Sequence, residues 1–185
     1  VPHTIFDLSE PNKDEKIFGI PVLKILSDVM LIERKNQFKF ILAIGDNYLR
    51  ERIFNKLNNI GCEIMNVISP SATISCNVKI GNGVVIFPNS FIGPGVKIDN
   101  NTIINTSSIV EHDSLIGSHT HLAPASVICG NSTIGDFCFI GANSTIIDKI
   151  FVSSNTIVGA GSVVIRSINE NGLTFAGNPS KKISK

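Results

Sequence analysis

The chain's reactive side chains concentrate in two short stretches, Asn105-Thr-Ser-Ser-Ile-Val-Glu-His-Asp113 and Ser118-His-Thr-His121. An imidazole titrates close to neutral pH, so it can take a proton from an amine or hydroxyl as that group attacks. A carboxylate beside it orients the ring and stabilises the imidazolium. His112 has two candidates for that partner, Asp113 and Glu111, and the spacing leaves the choice open. A solitary histidine on a turn is usually surface decoration, and His119 reads as a solvent-facing turn residue. The spacing 112, 119, 121 does not resemble the three-histidine zinc site of γ-class carbonic anhydrases, so no metal is expected. The four cysteines at 62, 76, 129 and 138 form no Cys-x-x-Cys pair and suggest neither a disulfide framework nor a zinc site. Cys129 lies beside Gly130 but has no base in the motif to activate it.

Whatever positions these groups must do so within 185 residues, enough for one domain or two small ones. Sixteen Lys+Arg against 15 Asp+Glu leave a formal charge of +1, which gives no basic surplus for polyanion binding. No apolar run approaches the roughly 20 residues a membrane span needs. No signal peptide opens the chain at Val-Pro-His-Thr, so the expected location is the cytoplasm. The chain has 11 Phe, one Tyr and no Trp, so its core must be built mainly from Ile and Val.

A repeat supplies that core. From Ile68 to Val164 every sixth residue is Ile, Val or Leu, without an insertion. The fifth place of each hexad is small or β-branched in nearly all cases, as at Ser90, Thr102, Ser108, Ser114, Thr120, Ser126, Ser132 and Ser144; Cys138 falls in this column as a packed small hydrophobe, and Ile150 and Ile168 are larger exceptions. The second place is Gly at 81, 93, 117, 135, 141 and 159, where a turn with positive φ is expected to favour it. A period of six fits neither a helix nor a continuous strand. It fits short strands joined by turns around a triangular coil, three hexads to a coil, stacked about 4.8 Å apart. Residues 68–169 then make about six coils. Gly130 follows His112 by 18 residues, one full coil above it on the same corner, where its N–H could stabilise an oxyanion.

Upstream the pattern changes. Phe38 to Ile44 reads as a buried parallel strand, followed by Gly45-Asp46-Asn47 and a helix with Leu49, Ile53, Phe54 and Leu57 on one face. Asp46 or Asn47 can cap it and Gly61 marks the turn beyond. Glu63 to Ile68 reads as the next strand, and Ile20-Pro21-Val22 with Leu23 to Met30 as a turn and helix. This alternation implies a small α/β domain over residues 1–66, then a prism over 67–169 and a tail over 170–185.

The hexads resemble the left-handed parallel β-helix of hexapeptide-repeat acyltransferases. Phe40-Ile-Leu-Ala-Ile-Gly-Asp-Asn47 and Asn66-Val-Ile-Ser-Pro-Ser-Ala-Thr-Ile-Ser75 narrow the resemblance to the NeuD/PglD group of bacterial sugar acyltransferases, which carry an N-terminal Rossmann-like domain. That domain's first strand and Gly-rich turn have no counterpart here; the chain starts near the second strand, Thr4-Ile-Phe-Asp7. The resemblance implies acetyl-CoA as acyl donor, a nucleotide sugar as acceptor, and a homotrimer with shared sites. It places the base on His112, its carboxylate on Asp113, a supporting Asn on Asn105 and the oxyanion donor on Gly130. His121 would sit near the thioester, and Asp7 and Glu111 would meet the sugar substrate. The tail, Phe175-Ala-Gly-Asn-Pro-Ser-Lys-Lys-Ile183, resembles the family ending beside the adenine of coenzyme A, where Lys181 and Lys182 could meet the 3′-phosphate. Gly141, Gly159 and Gly177 would let the cofactor approach backbone. The expected reaction is N-acetylation of a nucleotide-linked 4-amino-4,6-dideoxy sugar; the rivals are a sialic acid-type O-acetyltransferase and a catalytically silent β-helix scaffold.

Overall fold

Each hexad becomes two residues of strand and a four-residue corner. In a computed structural model, which describes residues 4–7, 12, 14–24 and 38–183, such strands recur every six residues from Val67–Ile68 to Val163–Val164. Each pairs in parallel with the strand 18 residues on, as in Phe91↔Ile109 and Ile92↔Val110, so three hexads close one coil. The three faces hold six, five and eight strands. The tallest exceeds the expected six levels because the tail joins it: Thr174–Ala176 pairs in parallel with Ile157–Val158, and Lys181–Ile183 turns back antiparallel onto Thr174–Ala176.

The first-place aliphatics point inward and form one continuous core from Ile86 to Val164, each at most 2% exposed. At the fifth place the small side chains are buried as expected, and their hydroxyls tie coil to coil. Thr102 donates to the Gly117 carbonyl at 2.9 Å, Ser108 to Ala123 at 2.9 Å and Thr120 to Gly135 at 2.8 Å. Cys138 occupies the same column, and burial pushes its thiol pKa up to about 12, consistent with an inert packed group.

The glycine expectation is overturned. Left-handed φ falls at the fourth place of the hexad, at every sixth residue from Asn77 to Gly161, mostly on non-glycines such as Asn101, Asp113, His119 and Phe137. Such a residue costs roughly 1–2 kcal/mol of backbone strain. Bonds to the coil below offset it, as from the Asp113 N–H to the Pro94 carbonyl at 3.0 Å. The second-place glycines have ordinary φ and are needed for another reason. A Cβ on Gly117 would stand 2.6 Å from the Gly135 carbonyl carbon, and one on Gly141 2.5 Å from the Ala160 nitrogen. Coils approach too closely there for any side chain.

The N-terminal strands are β1 (Ile5–Asp7), β2 (Lys16–Ile17), β3 (Ile20–Lys24), β4 (Lys39–Phe40) and β5 (Glu63–Ile64). Residues 23 and 24 extend β3, parallel to β1, instead of opening a helix; the remainder of that expected helix, residues 25–30, lies outside the described residues. The expected strand over Phe38–Ile44 shortens to β4, parallel to β5, and Glu63–Ile68 splits into β5 and the first prism strand. Helix α1 (Asn47–Asn59) forms as expected, with the Asp46 carboxylate accepting from the Leu49 N–H at 2.7 Å. Ile53, Phe54 and Leu57 bury against Phe40, Leu42 and Cys62. Among the described residues no helix is long and apolar enough to cross a membrane.

Arg50 fastens this unit to the prism. It is fully buried and donates to the carbonyls of Ile44 and Gly45 (3.1 Å each), Asn101 (3.0 Å), His119 (2.9 Å) and Thr120 (3.4 Å), and to Asn47 Oδ1 (2.8 Å). Burial lowers its pKa to about 10, still well above neutrality. Arg50→Met would leave those buried acceptors unpaired, and chemical denaturation should show a loss on the order of 3 kcal/mol or more. A loss below about 1 kcal/mol would mean that the clamp is dispensable.

Candidate active site

Pro94, His112, Gly130 and Asp148 occupy the same corner place on successive coils, set by the pairings Ile109↔Val127 and Val127↔Thr145. His112 Nδ1 lies 2.9 Å from Asp113 Oδ2. The carboxylate can only accept, so Nδ1 carries a hydrogen, and in the neutral ring the lone pair then belongs to Nε2. This resolves the choice of partner in favour of Asp113. Both side chains remain solvent-accessible, at 52% and 62% exposed, as groups that must meet a substrate would be.

Three glycines make room for the pair. A Cβ on Gly130 would stand 2.5 Å from His112 Nε2, one on Gly95 2.6 Å from Asp113 Oδ1, and one on Gly93 2.7 Å from the His112 nitrogen. Gly130 therefore has a steric role that the sequence does not display, because its φ lies outside the left-handed region and only the packed coils reveal the contact. Gly95 differs, since its φ of +72° puts it in the left-handed column as well. Burial, followed by the carboxylates of Asp148 and Glu111, raises the Cys129 thiol pKa and disfavours a thiolate nucleophile.

A second cluster stands one corner away. Asn105 was expected to support His112, but its Nδ2 lies 3.1 Å from His121 Nε2, and its Oδ1 accepts from the Thr106 N–H at 2.8 Å. The strand Ile109–Val110 separates Asn105 from His112 along the chain, so within one protomer they serve different corners. His121 Nδ1 approaches the Gly45 carbonyl at 3.4 Å, and its ring meets Phe139 edge-on at 5.2 Å. Asn105 and His121 form the polar end of a largely apolar cleft of about 430 Å3 between residues 41–45 and the outward side chains of Val67, Val85, Phe87 and Ile103. Asp7 ends β1, whose Phe6 packs on Phe38 and Phe40 just before that cleft wall. Glu111 sits beside the dyad, on the coil above Gly93.

His119 is not solvent-facing as expected. It stacks on Phe137 at 4.8 Å, meets Phe54 of α1 edge-on at 5.8 Å, and its Nδ1 lies 2.8 Å from Asn101 Nδ2. Desolvation lowers the pKa of both His119 and His121. The unfolded chain therefore binds protons that the folded chain excludes, and stability falls as pH drops through about 6.5. Melting temperature should decline from pH 7.5 to 5, and His119→Gln with His121→Gln should flatten the decline. An unchanged slope in the double variant would count against this origin.

The other expected cofactor positions diverge. The space a Cβ would take at Gly159 is held by Ala176, 2.9 Å away, and Gly141 is crowded by the next coil, so these glycines serve packing between coils. Gly177 adopts φ +102° in the tail. Lys182 pairs with Glu170 at 3.2 Å, whereas Lys181 lines a cavity at the top of the prism. Among the described residues no group of three His, Cys, Asp or Glu could hold a metal ion.

The chain was compared with known proteins. Residues 63–172 match the family model described as GMPPB C-terminal domain, and residues 3–57 that described as PglD N-terminal domain. No curated protein sequence matches the chain. Among solved structures, the acetyltransferase domain of PglB from Neisseria gonorrhoeae is 29% identical with a TM-score of 0.88, covering 97% of this chain and 86% of that one. PerB from Caulobacter crescentus, solved with CoA and GDP-perosamine, is 34% identical with a TM-score of 0.85, covering 91% and 81%. The PglB domain has also been solved with acetyl coenzyme A, at 29% identity, a TM-score of 0.85 and coverage of 93% and 83%.

Proposed function

Because the chain belongs to the NeuD/PglD-type sugar acyltransferases of the hexapeptide-repeat β-helix superfamily, we propose that it transfers an acetyl group from acetyl-CoA to the amine of a nucleotide-linked 4-amino-4,6-dideoxy sugar. The observation that carries this reading is the His112–Asp113 pair at 2.9 Å, with Nε2 left open against Gly130. The sugar amine attacks the thioester carbonyl while His112 Nε2 takes its proton. The Gly130 N–H holds the oxyanion of the tetrahedral intermediate. Collapse breaks the C–S bond, and the imidazolium returns its proton to the departing sulfur, so amide and free CoA thiol are the products. No acyl-enzyme intervenes, in keeping with the raised Cys129 pKa.

In this reading residues 1–66 hold the nucleotide sugar with help from Asp7, residues 67–169 carry the transfer, and residues 170–185 complete the cofactor site. Glu111 faces the sugar beside the dyad. Asn105 and His121 hold the thioester end from the apolar cleft. The relatives solved with CoA, acetyl-CoA and GDP-perosamine support the donor and the kind of acceptor. The two clusters stand on different corners of one protomer, which supports a homotrimer in which His112 of one copy meets the Asn105–His121 cleft of the next. The proposed location is the cytoplasm. A thiol-release assay against UDP-, GDP- and dTDP-linked amino sugars tests the function; no acetyl-CoA turnover with any of them would overturn it. Light scattering should give three times the protomer mass, and a monomeric active enzyme would exclude shared sites.

A further inference from the structure

We propose that Arg50 is a positioning residue for the transfer, which sets the orientation and the tautomer of His121 through the Gly45 carbonyl. The inference rests on the reading above that His121 stands at the thioester end. Two bonds define the His121 ring. Its Nδ1 faces the Gly45 carbonyl at 3.4 Å, and a carbonyl can only accept, so Nδ1 carries a hydrogen. Its Nε2 lies 3.1 Å from Asn105 Nδ2. The Asn105 amide cannot turn around, because its Oδ1 accepts from the Thr106 N–H at 2.8 Å. Nδ2 therefore donates to Nε2, which must hold the lone pair, and the ring is neutral. The other tautomer, or a protonated ring, would turn an N–H toward the N–H of Asn105 and break the pair. Both groups assigned to the thioester would then lose their places.

The bond from His121 to Gly45 joins the prism to the N-terminal unit. At 3.4 Å it is long, so it depends on both of its sides being held still. One guanidinium holds both. On the Gly45 side, Arg50 Nη1 donates to the carbonyls of Ile44 and Gly45, at 3.1 Å each. On the His121 side, Nη2 donates to the carbonyls of the two preceding residues, His119 at 2.9 Å and Thr120 at 3.4 Å. Nε donates to Asn101 on the coil below, at 3.0 Å. An ammonium has neither the reach nor the planar fork to replace these bonds. The charge of Arg50 acts in the same sense. Burial lowers the His121 pKa, the Gly45 bond opposes that shift, and the nearby guanidinium adds to it, which keeps the ring uncharged. Fastening α1 to the prism does not by itself require this placement. Asn47 fastens the same helix, its Nδ2 donating to the carbonyls of Phe137 at 3.3 Å and Cys138 at 3.0 Å, and neither acceptor lines the cleft.

Nitrogen-15 NMR of the histidine rings, with His121→Gln to assign the signal, tests this in the full chain alongside steady-state kinetics in acetyl-CoA and the amino sugar that turns over. In the parent near neutral pH, His121 should be a neutral ring with its hydrogen on Nδ1. A hydrogen on Nε2, or a cationic ring, would overturn the proposal whether or not any Arg50 variant folds. Arg50→Lys keeps a charge and loses the fork. It should lower kcat/KM for acetyl-CoA about ten- to thirtyfold, leave KM for the amino sugar within about twofold, and blur the single His121 tautomer. Asn47→Ala should lower the melting temperature while leaving the His121 signal and kcat/KM for acetyl-CoA unchanged. Unchanged kcat/KM in Arg50→Lys, or an equal loss in Asn47→Ala, would show that Arg50 only fastens the two units and would overturn its positioning role. A parent protein that turns over no acetyl-CoA, even with the His121 ring as assigned, would instead overturn the acyl-transfer reading, and this role with it.

Discussion

His112→Ala lowers kcat by about 10²- to 10⁴-fold while the melting temperature stays within a degree or two of the parent. The range is what a positioned general base contributes to transfer of a proton in the transition state. The stability forecast follows from where the ring lies. Its side chain is half exposed and takes no part in the Ile and Val core, and its partner Asp113 is 62% exposed. The bonds that hold the corner are made by the backbone, with the His112 carbonyl accepting from the Asn131 N–H at 2.9 Å, and alanine keeps them. Stopped-time assays of thiol release with calorimetric melting provide both readings. Full activity in the variant would remove His112 from the mechanism; a large fall in melting temperature would show that the residue is structural.

The prism was legible because its physics is periodic. A buried aliphatic every six residues, with a mostly small or β-branched residue four places on, is a demand made by every hexad, so all seventeen hexads are not needed to see it; a few repeats already expose the period. The site was legible as far as local sequence reached. His112 and Asp113 are adjacent in the chain, and their 2.9 Å contact needs no long-range information. What escaped depends on contacts between coils or between units. The 18-residue spacing already set Gly130 one coil above His112, but the lack of room for a Cβ between them was hidden, and the pairing of Asn105 with His121 joins residues 16 apart on successive coils. His119 looked like a surface turn because Phe54 and Phe137, which enclose it, come from a helix and from the next coil. Glycines misled because the two reasons for having one, a left-handed φ and a lack of space for a Cβ, look identical in sequence; here Asn, Asp and even Phe137 mostly supply the first, beside Gly83, Gly95 and Gly161, while the second-place glycines serve the second.

That distinction yields the other large effect, in which Gly130→Ala and Gly93→Ala fail in opposite ways. At Gly130 the added methyl would stand 2.5 Å from His112 Nε2 and 2.7 Å from Cε1, both at the end of a half-exposed side chain that can swing outward. The fold gives way cheaply, and the melting temperature should change little. Catalysis does not tolerate the same movement, since a displacement of about 1 Å at a reacting group can cost 10²-fold. The expected result is a loss of roughly 10²-fold in kcat in a well-folded protein that still binds CoA. At Gly93 the methyl would meet the His112 nitrogen at 2.7 Å and the Glu111 carbonyl carbon at 3.0 Å, and neither backbone atom can move without the coil moving. Overpacking of that kind costs about 1–3 kcal/mol, so this variant should lose stability first. Replacing Gly130 by alanine without loss of activity would show that the ring is not held against Gly130 during turnover, and the oxyanion role of the Gly130 N–H would then have to stand without the imidazole beside it.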